Sequence, residues 1–432
     1  MRTTGPSAIL GGPVGRRASA RAWAPPPAWS YALATVAWFV CMARQVPCVM
    51  DPATPYRVGC YSDIQSLWGP RGIEQGLVPY LQVDLEYPVL TGGFIWGTRL
   101  LSGALPGGAE GGRLAFFGLS ALGLFVAFLA LVAVHVRIAP RTAPWVAASP
   151  LVVLSGLINW DLLAVAVTSG ALLAWARRRP ALAGVLVGIG LSTKFYPALL
   201  LLPFVVLSLR AGDLRALARV VLGAVAAFVA VNLPVMVAAP QGWLNIWTYH
   251  AGRDADLGSV WYVLGLAQVT LPAAALSRAL FVTGVLAIVV LCFLAPRRPR
   301  VAQVTFLVVV VFCVTNVVYS PQYMLWLLPL VLLARPRWVD GVAFTLAEAF
   351  YWWAVWMYLD GSLYAGDGAP RLYGIAVLVR IGVQLWLAAR VVVDVLHPWD
   401  DPVRLGHVDD PGGGVLDHAP DAVALAARRP GW

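Results

Sequence analysis

Carboxylates are concentrated between positions 61 and 88, in the stretch YSDIQSLWGPRGIEQGLVPYLQVDLEYP. Charged residues make up only 12% of the 432-residue chain, so this cluster stands out, and it follows the first long apolar run. A carboxylate located where a membrane meets water, as Asp63 would be, can act as a general base that accepts the proton of a hydroxyl group. The alternative interpretation of Asp63 is an ordinary solvated surface residue.

Lys194, in the sequence TKFYP, is a second candidate. It lies between two apolar segments, and the residues after it begin a new helix, so its ammonium group lies beside a helix N-terminus. Both features suit a phosphate group. An interfacial lysine that extends its ammonium to water is the alternative. For Asp161, in the sequence NWD, helix capping and catalysis are equally good interpretations.

A third group of polar residues lies in the stretch WLNIWTYHAGRDADLGSVWYVLG. It offers a histidine, a cation and carboxylates, namely His250, Arg253 and Asp256. Trp261 and Tyr262 in the same stretch suit either stacking on sugar rings or a membrane-interface belt. His and Asp can ligate a metal, but the stretch lacks paired-ligand spacing, so the sequence predicts no metal site.

Composition indicates an all-α polytopic membrane protein. The mean hydropathy is +0.75, and apolar runs recur along the whole chain. The runs are continuous rather than alternating, which is not the pattern of a β-barrel. The net charge of +10 comes from short Arg clusters between apolar runs. In a membrane protein such clusters mark the cytoplasmic side, so we expect no nucleic-acid partner.

The Arg clusters and run lengths predict about twelve crossings, with both termini cytoplasmic. The 143–176 run would extend roughly 50 Å as one helix, so it must turn, at Asn159-Trp160-Asp161. By the same reasoning the 301–334 run turns at Ser320-Pro321-Gln322, and the 181–209 run is a hairpin with Lys194 at its tip. The 88–104 run is expected to be re-entrant or surface-lying. No cleavable signal peptide is expected, because no small-residue cleavage site follows the first run.

This topology divides the chain into three parts. The transmembrane catalytic domain is expected at 29–396, with two substantial extracytoplasmic loops at about 49–112 and 240–273. The tails 1–28 and 397–432 are Gly-, Pro- or Asp-rich and are expected to be disordered on the cytoplasmic side. The polar groups of interest then converge on the outer face. These include Asp63 and Glu86 with Tyr87, Asp161, Lys194, the 250–256 group, and Gln322 with Tyr323.

Cysteines and two intramembrane charges complete the candidates. Cys48 and Cys60 both fall outside the membrane, where a disulfide is permitted, and a bridge is weighed against two free thiols. Cys41, Cys292 and Cys313 fall within spans, as apolar packing residues. Glu348 and Arg380 lie near the middle of the last two spans. A structural ion pair between neighbouring helices is the expected explanation.

Several of these short sequences resemble a known family. Y-S-D-I followed by P-Y and E-Y-P is similar to the first external loop of glycosyltransferases with the GT-C fold. N-W-D, T-K-F-Y-P and S-P-Q-Y-M-L-W-L-L-P resemble glycosyltransferase family 87, the polyprenyl-phosphate-mannose-dependent mannosyltransferases of actinobacteria. The resemblance covers roughly residues 30–390. Glu86 before Tyr-Pro and the pair of outer cysteines depart from the family's usual pattern.

The resemblance implies a GT-C-like fold and an inverting transfer of a hexose, typically mannose. The donor is a polyprenyl-phosphate sugar and the acceptor a glycolipid or lipoglycan hydroxyl, on the outer face of a bacterial plasma membrane. Asp63 corresponds to the proposed catalytic Asp, while Lys194 with Arg253 is expected to bind the donor phosphate. Residues expected to contact substrate or support those that do are Glu86, Tyr87, Asp161, His250, Asp256, Gln322 and Tyr323. No cofactor is expected beyond the lipid-linked donor, and no oligomeric state is implied.

Two other classes of protein are compatible with so apolar a chain. A transporter or lipid flippase would need charged or broken helices at the bilayer midplane and an internal repeat. The polar groups instead cluster at one face, and no repeat is evident. A non-catalytic scaffold for envelope assembly is the third alternative.

Overall fold

We describe a computed structural model, which defines residues 25–50, 55–106, 108–364, 370–404 and 408–423. Within these ranges the chain is helical, with one isolated β-bridge between Pro79 and Val83. The α-helices, in chain order, are α1 Pro27–Met50, α2 Asp63–Ser66, α3 Val89–Gly103, α4 Gly108–Ile138, α5 Ala143–Ala147, α6 Pro150–Ser155, α7 Asp161–Ala176, α8 Pro180–Leu191, α9 Leu201–Ala211, α10 Leu214–Ala238, α11 Pro240–Ala251, α12 Val260–Leu266, α13 Ala273–Leu294, α14 Val301–Thr315, α15 Met324–Ala334, α16 Trp338–Leu359 and α17 Arg371–Leu396. Short 3₁₀ turns span Tyr196–Leu200, Pro321–Tyr323 and Gly414–Leu416.

Five of the described helices are long and apolar enough to cross a membrane: α1, α4, α10, α13 and α17. The remaining apolar helices include α7, α8, α9, α14 and α15, which have between 11 and 16 residues. The predicted all-α membrane class is confirmed. The count of twelve crossings stays a prediction, as does the membrane position of the 49–112 and 240–273 segments.

The long apolar runs break where the sequence predicted. The 143–176 run has a non-helical stretch between Ser155 and Asp161, and the 301–334 run has one between Thr315 and Pro321. In the 181–209 run, α8 ends at Leu191 and the chain continues through Lys194 into the turn Tyr196–Leu200. Pro197 and Pro321 lie at the start of the turns that follow, where a proline fits because the missing N–H has no intrahelical partner. The breaks free polar backbone and side chains inside an apolar bundle.

Helices α8 and α10 pack at backbone distance. A Cβ added at Gly184 would lie 2.0 Å from the carbonyl oxygen of Val220, and one at Gly188 would lie 2.3 Å from that of Ala224. Only glycine permits such an approach. Small residues at helix contacts give tight van der Waals packing in membranes, where the hydrophobic effect contributes little between helices. This pair anchors α8, and with it the turn that carries Lys194.

The far ends of several helices are bound by buried arginines. Arg210 donates to the carbonyl of Ala295 at 2.9 Å, just after α13 ends, and contacts Asp421 at 2.8 Å. Arg300 donates to the carbonyl of Leu333 near the end of α15 at 3.1 Å and pairs with Asp401 at 2.7 Å. These cations satisfy helix carbonyls that have no intrahelical partner.

The predicted disorder of 397–432 is wrong for the described residues 397–404 and 408–423. Asp401 is fully buried against Arg300, and Asp409 is 2.9 Å from Arg297. The aspartates that suggested a solvated tail complement the arginines at the helix ends, so this acidic segment folds onto them. Residues 405–407 and 424–432 lie outside the described residues. So do residues 1–24, which make up most of the predicted N-terminal tail, while α1 begins at Pro27.

The predicted ion pair between Glu348 and Arg380 is confirmed. The Arg380 Nε lies 2.8 Å from a Glu348 carboxylate oxygen, and both side chains are fully buried. The guanidinium also donates to the carbonyl of Tyr319 at 3.0 Å and to that of Ser320 at 3.3 Å. It lies 3.5 Å from the centre of the Tyr319 ring. The pair therefore holds the backbone immediately before the turn Pro321–Tyr323.

Single substitutions at this pair are expected to destabilise the protein far more than the double substitution. Either Glu348→Met or Arg380→Met leaves one buried charge without its partner, which costs about 3–5 kcal/mol in the free energy of unfolding. The double variant removes both charges and should recover much of that loss. Unfolding of the four proteins in detergent measures the cycle. Losses that simply add would contradict an interaction between the two charges.

Candidate functional site

A cavity of about 560 Å³ collects most of the residues singled out from the sequence. Helices α7 and α15 begin close to it, and at their other ends lie Arg177 and Arg335. The predicted site residues that line the cavity are Asp63, Glu86, Tyr87, Lys194, His250, Arg253, Asp256, Gln322 and Tyr323. Asp161 lies behind the lining, 2% exposed. Segments far apart in the sequence thus meet at one place, as predicted.

Asp63 begins the short helix α2 and is held against the break after α6. Its backbone N–H donates to the carbonyl of Ile158 at 2.6 Å, and the hydroxyl of Ser62 donates to that of Leu157 at 2.6 Å. Its two carboxylate oxygens accept different hydrogen bonds. The Tyr61 hydroxyl donates to Oδ1 and the Tyr87 hydroxyl to Oδ2, each at 2.9 Å. The carboxylate is therefore fixed in orientation.

Three carboxylates line the cavity, and only Asp63 has no cation within ion-pair distance among the described residues. Glu86 pairs with Arg71 at 2.8 Å, and Asp256 pairs with Arg253. A carboxylate that already binds a cation is a weak proton acceptor, because the cation favours its charged form. Asp63 binds only neutral phenols. It is the carboxylate of this cavity best suited to accept a proton.

Burial raises the pKa of Asp63 above its usual range, and this effect outweighs the hydrogen bonds from Tyr87 and Tyr61 and the nearby charge of Lys194, which lower it. Burial also raises the pKa of both tyrosines, so they remain hydrogen-bond donors at neutral pH. Desolvation disfavours the charged form of an acid. A carboxyl with a raised pKa is a stronger base than an ordinary aspartate.

The raised pKa predicts an acid limb in the pH dependence of kcat/KM. The ionised form of Asp63 is needed, so activity should fall as pH drops through a value above about 3.9, the pKa of an unperturbed Asp. Tyr61→Phe removes a hydrogen bond that stabilises the carboxylate and should move this limb to higher pH. Initial rates measured across the acid range, for both proteins, test the sign. A limb that moves to lower pH would contradict the assignment.

Lys194 forms an ion pair with Asp161, with its ammonium nitrogen 2.8 Å from a carboxylate oxygen. The other oxygen of Asp161 accepts from the Trp326 indole at 2.9 Å. The amide oxygen of Asn159, rather than Asp161, accepts the N–H at the start of α7, at 3.0 Å. Asp161 therefore holds Lys194 and does not act as the helix cap. The ammonium also lies 5.0 Å from the centre of the Tyr87 ring, which places it beside the Asp63 group.

The 250–256 group contacts the segment that carries Glu86 and Tyr87. His250 Nε2 lies 2.9 Å from the carbonyl oxygen of Glu86, which makes Nε2 the donor. Burial lowers the pKa of His250 to about 4, so the ring is neutral at physiological pH. Arg253 and Asp256 pair with each other at the cavity wall. The second cation of the cavity is thus Arg253, which is half-buried, while His250 fixes the segment that carries Tyr87.

Close backbone contact brings α11 and the segment around Tyr80 together. A Cβ added at Gly242 in α11 would lie 2.0 Å from the carbonyl oxygen of Tyr80. The hydroxyl of Tyr80 donates to the carbonyl of Tyr87 at 2.8 Å. Glycine at this point of α11 is what allows the contact. A larger residue there would displace Tyr80 and, through it, Tyr87.

Gln322 and Tyr323 lie in the turn that Arg380 supports from behind. Gln322 is 7% exposed and lines the cavity. The Tyr323 ring stacks on Trp326 with centroids 3.6 Å apart, and Trp326 stacks in turn on Tyr196 at 4.3 Å. Trp326 also donates to Asp161, which pairs with Lys194. The same aromatic stack therefore supports the turn and this ion pair. Neither residue has a charge to contribute to chemistry.

Cys48 and Cys60 are joined by a disulfide, with their Cα atoms 5.8 Å apart. The bridge connects the end of α1 to the residue before Tyr61. The carbonyl of Gly59 accepts from Arg44, and the Arg44 guanidinium also donates to the carbonyls of Val153 and Leu154. The short segment before Asp63 is therefore held from both sides. Cys41, Cys292 and Cys313 are free and buried, as expected.

Loss of this bridge is expected to lower stability by about 3 kcal/mol in the chain-entropy account. Peptide mapping of the alkylated, unreduced protein should find a linked pair containing Cys48 and Cys60. Cys48→Ser with Cys60→Ser should unfold at lower temperature than the wild type, whereas Cys292→Ser leaves the bridge intact and is the matched control. Alkylation of both Cys48 and Cys60 without prior reduction would contradict the disulfide.

Sequence reasoning missed several residues of the site. Tyr61 lies two positions before Asp63, and that proximity was the signal. Trp326 lies within the S-P-Q-Y-M-L-W-L-L-P sequence but was not singled out, and Trp356 comes from a distant helix and gave no local signal. Trp261 and Tyr262, considered for sugar stacking, lie elsewhere, since Trp261 donates to the carbonyl of Thr315 at 2.8 Å and Tyr262 packs on Tyr358.

The helical membrane fold suits a membrane enzyme of group transfer, as does a polar cavity in which one carboxylate pairs with no cation from the described part of the chain. The model of glycosyltransferase family 87 matches residues 100–321, and the chain belongs to this family. No curated protein matches the chain. The matched range includes Asp161, Lys194 and Arg253, whereas Asp63 precedes it. The family confirms the predicted resemblance and favours a membrane glycosyltransferase over the transporter, flippase and scaffold alternatives.

Proposed function

We propose that this protein transfers a hexose, mannose in the first instance, from a polyprenyl-phosphate donor to a hydroxyl of a cell-envelope glycolipid or lipoglycan. The observation that carries the proposal is that one cavity is lined by Asp63, which pairs with no cation among the described residues, and by two cations, Lys194 and Arg253. A lipid-phosphate donor needs a cation for its phosphate, and a hydroxyl acceptor needs a base.

The reaction is a single displacement at the anomeric carbon. Asp63 accepts the proton of the acceptor hydroxyl as its oxygen forms the new glycosidic bond. The bond between the anomeric carbon and the phosphate oxygen breaks, and its electron pair leaves with the polyprenyl phosphate. Lys194 and Arg253 stabilise the charge that develops on this phosphate. The step needs no cofactor, and the anomeric configuration is inverted.

The rest of the cavity orders these groups. Tyr61 and Tyr87 hold the carboxylate, Asp161 holds Lys194, and Asp256 holds Arg253. Glu86, His250, Gln322 and Tyr323 shape the cavity around them. Preorganised groups of this kind lower the reorganisation needed in the transition state.

The side of the membrane is part of the proposal. With the Arg clusters on the cytoplasmic side, the cavity faces the extracytoplasmic side of a bacterial plasma membrane and both termini are cytoplasmic. Support comes from the separation of charges, since Arg177 and Arg335 follow the ends of α7 and α15 that are remote from the cavity.

Transfer by the purified protein tests the proposal. The protein, reconstituted in vesicles, is incubated with polyprenyl-phosphate mannose labelled in the sugar and a membrane glycolipid fraction from an actinobacterium. We expect label in the glycolipid, dependent on both substrates, and none from a nucleotide-sugar donor. Movement of the donor across the bilayer without transfer would indicate a flippase and reject the proposal. Absence of both activities would leave the non-catalytic scaffold as the remaining alternative.

A further inference from the structure

Three aromatic side chains form a continuous wall of the cavity, and two of them, Tyr56 and Trp356, have no part in the proposed mechanism. The ring centroids of Tyr56 and Tyr61 are 5.5 Å apart, those of Tyr56 and Trp356 are 5.9 Å apart, and those of Tyr61 and Trp356 are 5.3 Å apart. The Tyr56 and Trp356 rings are nearly parallel, at 12°. All three residues line the cavity. We call Tyr56, Tyr61 and Trp356 the aromatic wall.

The wall is rigid because both of its supports are fixed. Tyr56 and Tyr61 lie on either side of a turn closed by hydrogen bonds from Gly59 and Cys60 to the carbonyls of Tyr56 and Pro55, each 3.0 Å. The disulfide at Cys60 ties this turn to α1. Trp356 lies on α16, is 3% exposed and supports the rings of Tyr56 and Tyr61, which are the partly exposed members of the wall. Rigid aromatic surfaces bind with little loss of conformational entropy.

The wall and the cavity's lysine are connected to different oxygens of the Asp63 carboxylate. Tyr61, a member of the wall, donates to Oδ1 of Asp63. Tyr87 donates to Oδ2, and the Lys194 ammonium lies over the Tyr87 ring. In an inverting displacement the acceptor approaches opposite to the leaving phosphate, and the base accompanies the acceptor. If Lys194 binds the phosphate, the acceptor is on the Tyr61 side.

We propose that the aromatic wall is the subsite for the sugar ring of the acceptor, so that this enzyme glycosylates a pyranoside rather than an acyclic polyol headgroup. The inference rests on the proposed function. One face of a pyranose presents a patch of C–H groups, which packs on the electron-rich face of an aromatic ring. A glycerol-type headgroup has no such face. Stacking against the wall would bring a ring hydroxyl to Asp63 through the neighbouring Tyr61.

Two acceptors with the same alkyl chain test the proposal, namely octyl mannoside and an octyl ether of glycerol. We expect transfer to the mannoside in preference to the ether. Tyr56→Leu and Trp356→Leu should each raise the KM for octyl mannoside roughly 3- to 10-fold. They should leave the KM for the polyprenyl-phosphate donor unchanged. Trp356→Phe keeps a ring and should recover part of the loss, even if the leucine variant folds poorly.

Trp353→Leu is the matched control, because Trp353 lies on the same helix but is 41% exposed and does not line the cavity. It should bind octyl mannoside like the wild type. Calorimetric titration of octyl mannoside without donor separates this proposal from the proposed function, since binding needs no transfer. Unchanged mannoside binding in both Tyr56→Leu and Trp356→Leu would overturn the aromatic-wall proposal while leaving transfer intact. Loss of all transfer in the wild type would instead reject the proposed function.

Discussion

Asp63→Asn is expected to lower kcat by about 10²–10⁴-fold, which is the usual effect of removing a positioned general base. The amide keeps the size of the carboxylate, its oxygen can still accept from one of the two tyrosines, and its NH2 group can donate to the hydroxyl oxygen of the other, so the fold should be preserved. The amide cannot accept the proton of the acceptor hydroxyl. The donor KM should change little, because Asp63 does not bind the phosphate. Steady-state rates with saturating acceptor measure the effect.

Asp84→Asn is the matched control for this experiment. Asp84 belongs to the same segment, but its carboxylate accepts from Asn245 at 2.8 Å at an exposed position and does not line the cavity. Its substitution should leave kcat within about twofold, since surface changes of this kind have small effects. Wild-type turnover in Asp63→Asn, or an equal loss in Asp84→Asn, would show that Asp63 is not the base.

Removal of the Lys194 ammonium is expected to weaken donor binding by about 10- to 100-fold, the range for losing a hydrogen bond to a charged group. A single substitution would leave Asp161 buried without its partner, so the informative variant is Lys194→Met combined with Asp161→Asn. Binding of polyprenyl phosphate by the purified protein is the direct readout. Lys194 is the single lysine of the chain, so no neighbouring lysine can replace it.

Asp161→Asn alone separates the two contributions to donor binding. It keeps the ammonium but loses the ion pair that positions it, so donor affinity should fall less than in the double variant. Thermal unfolding of both proteins checks that each is folded. Equal donor affinity in the wild type and the double variant would remove Lys194 from the phosphate site and leave Arg253 as the cation.

The sequence predicted the helical class, the breaks and the charged residues that line the cavity, because each depends on local signals. An apolar run 34 residues long is too long for one crossing, and the few polar residues inside it mark the break. The same reasoning predicted a hairpin in the 181–209 run, with Lys194 at its tip. Such arguments need only the chemistry of neighbouring residues and the thickness of a membrane.

The contacts across the cavity were not predictable in this way. Asp161 and Trp326 are separated by 165 positions, and Arg380 reaches the carbonyl of Tyr319 across 61. Apolar helices of similar composition can pack in several registers, so the sequence does not specify which side chains meet. The acidic segment after 397 was misjudged for a related reason. Its composition resembles a solvated tail, and its partners are arginines located far away in the sequence.

The anomeric configuration of the product tests the central claim most directly. One base and a direct displacement require inversion, whereas retention would need a carboxylate nucleophile and a covalent intermediate. The wild-type protein is supplied with polyprenyl-phosphate mannose of defined anomeric configuration and octyl mannoside, and the new linkage is assigned by NMR. We predict the configuration opposite to that of the donor. A product that keeps the donor's configuration would contradict the role of Asp63 as a general base.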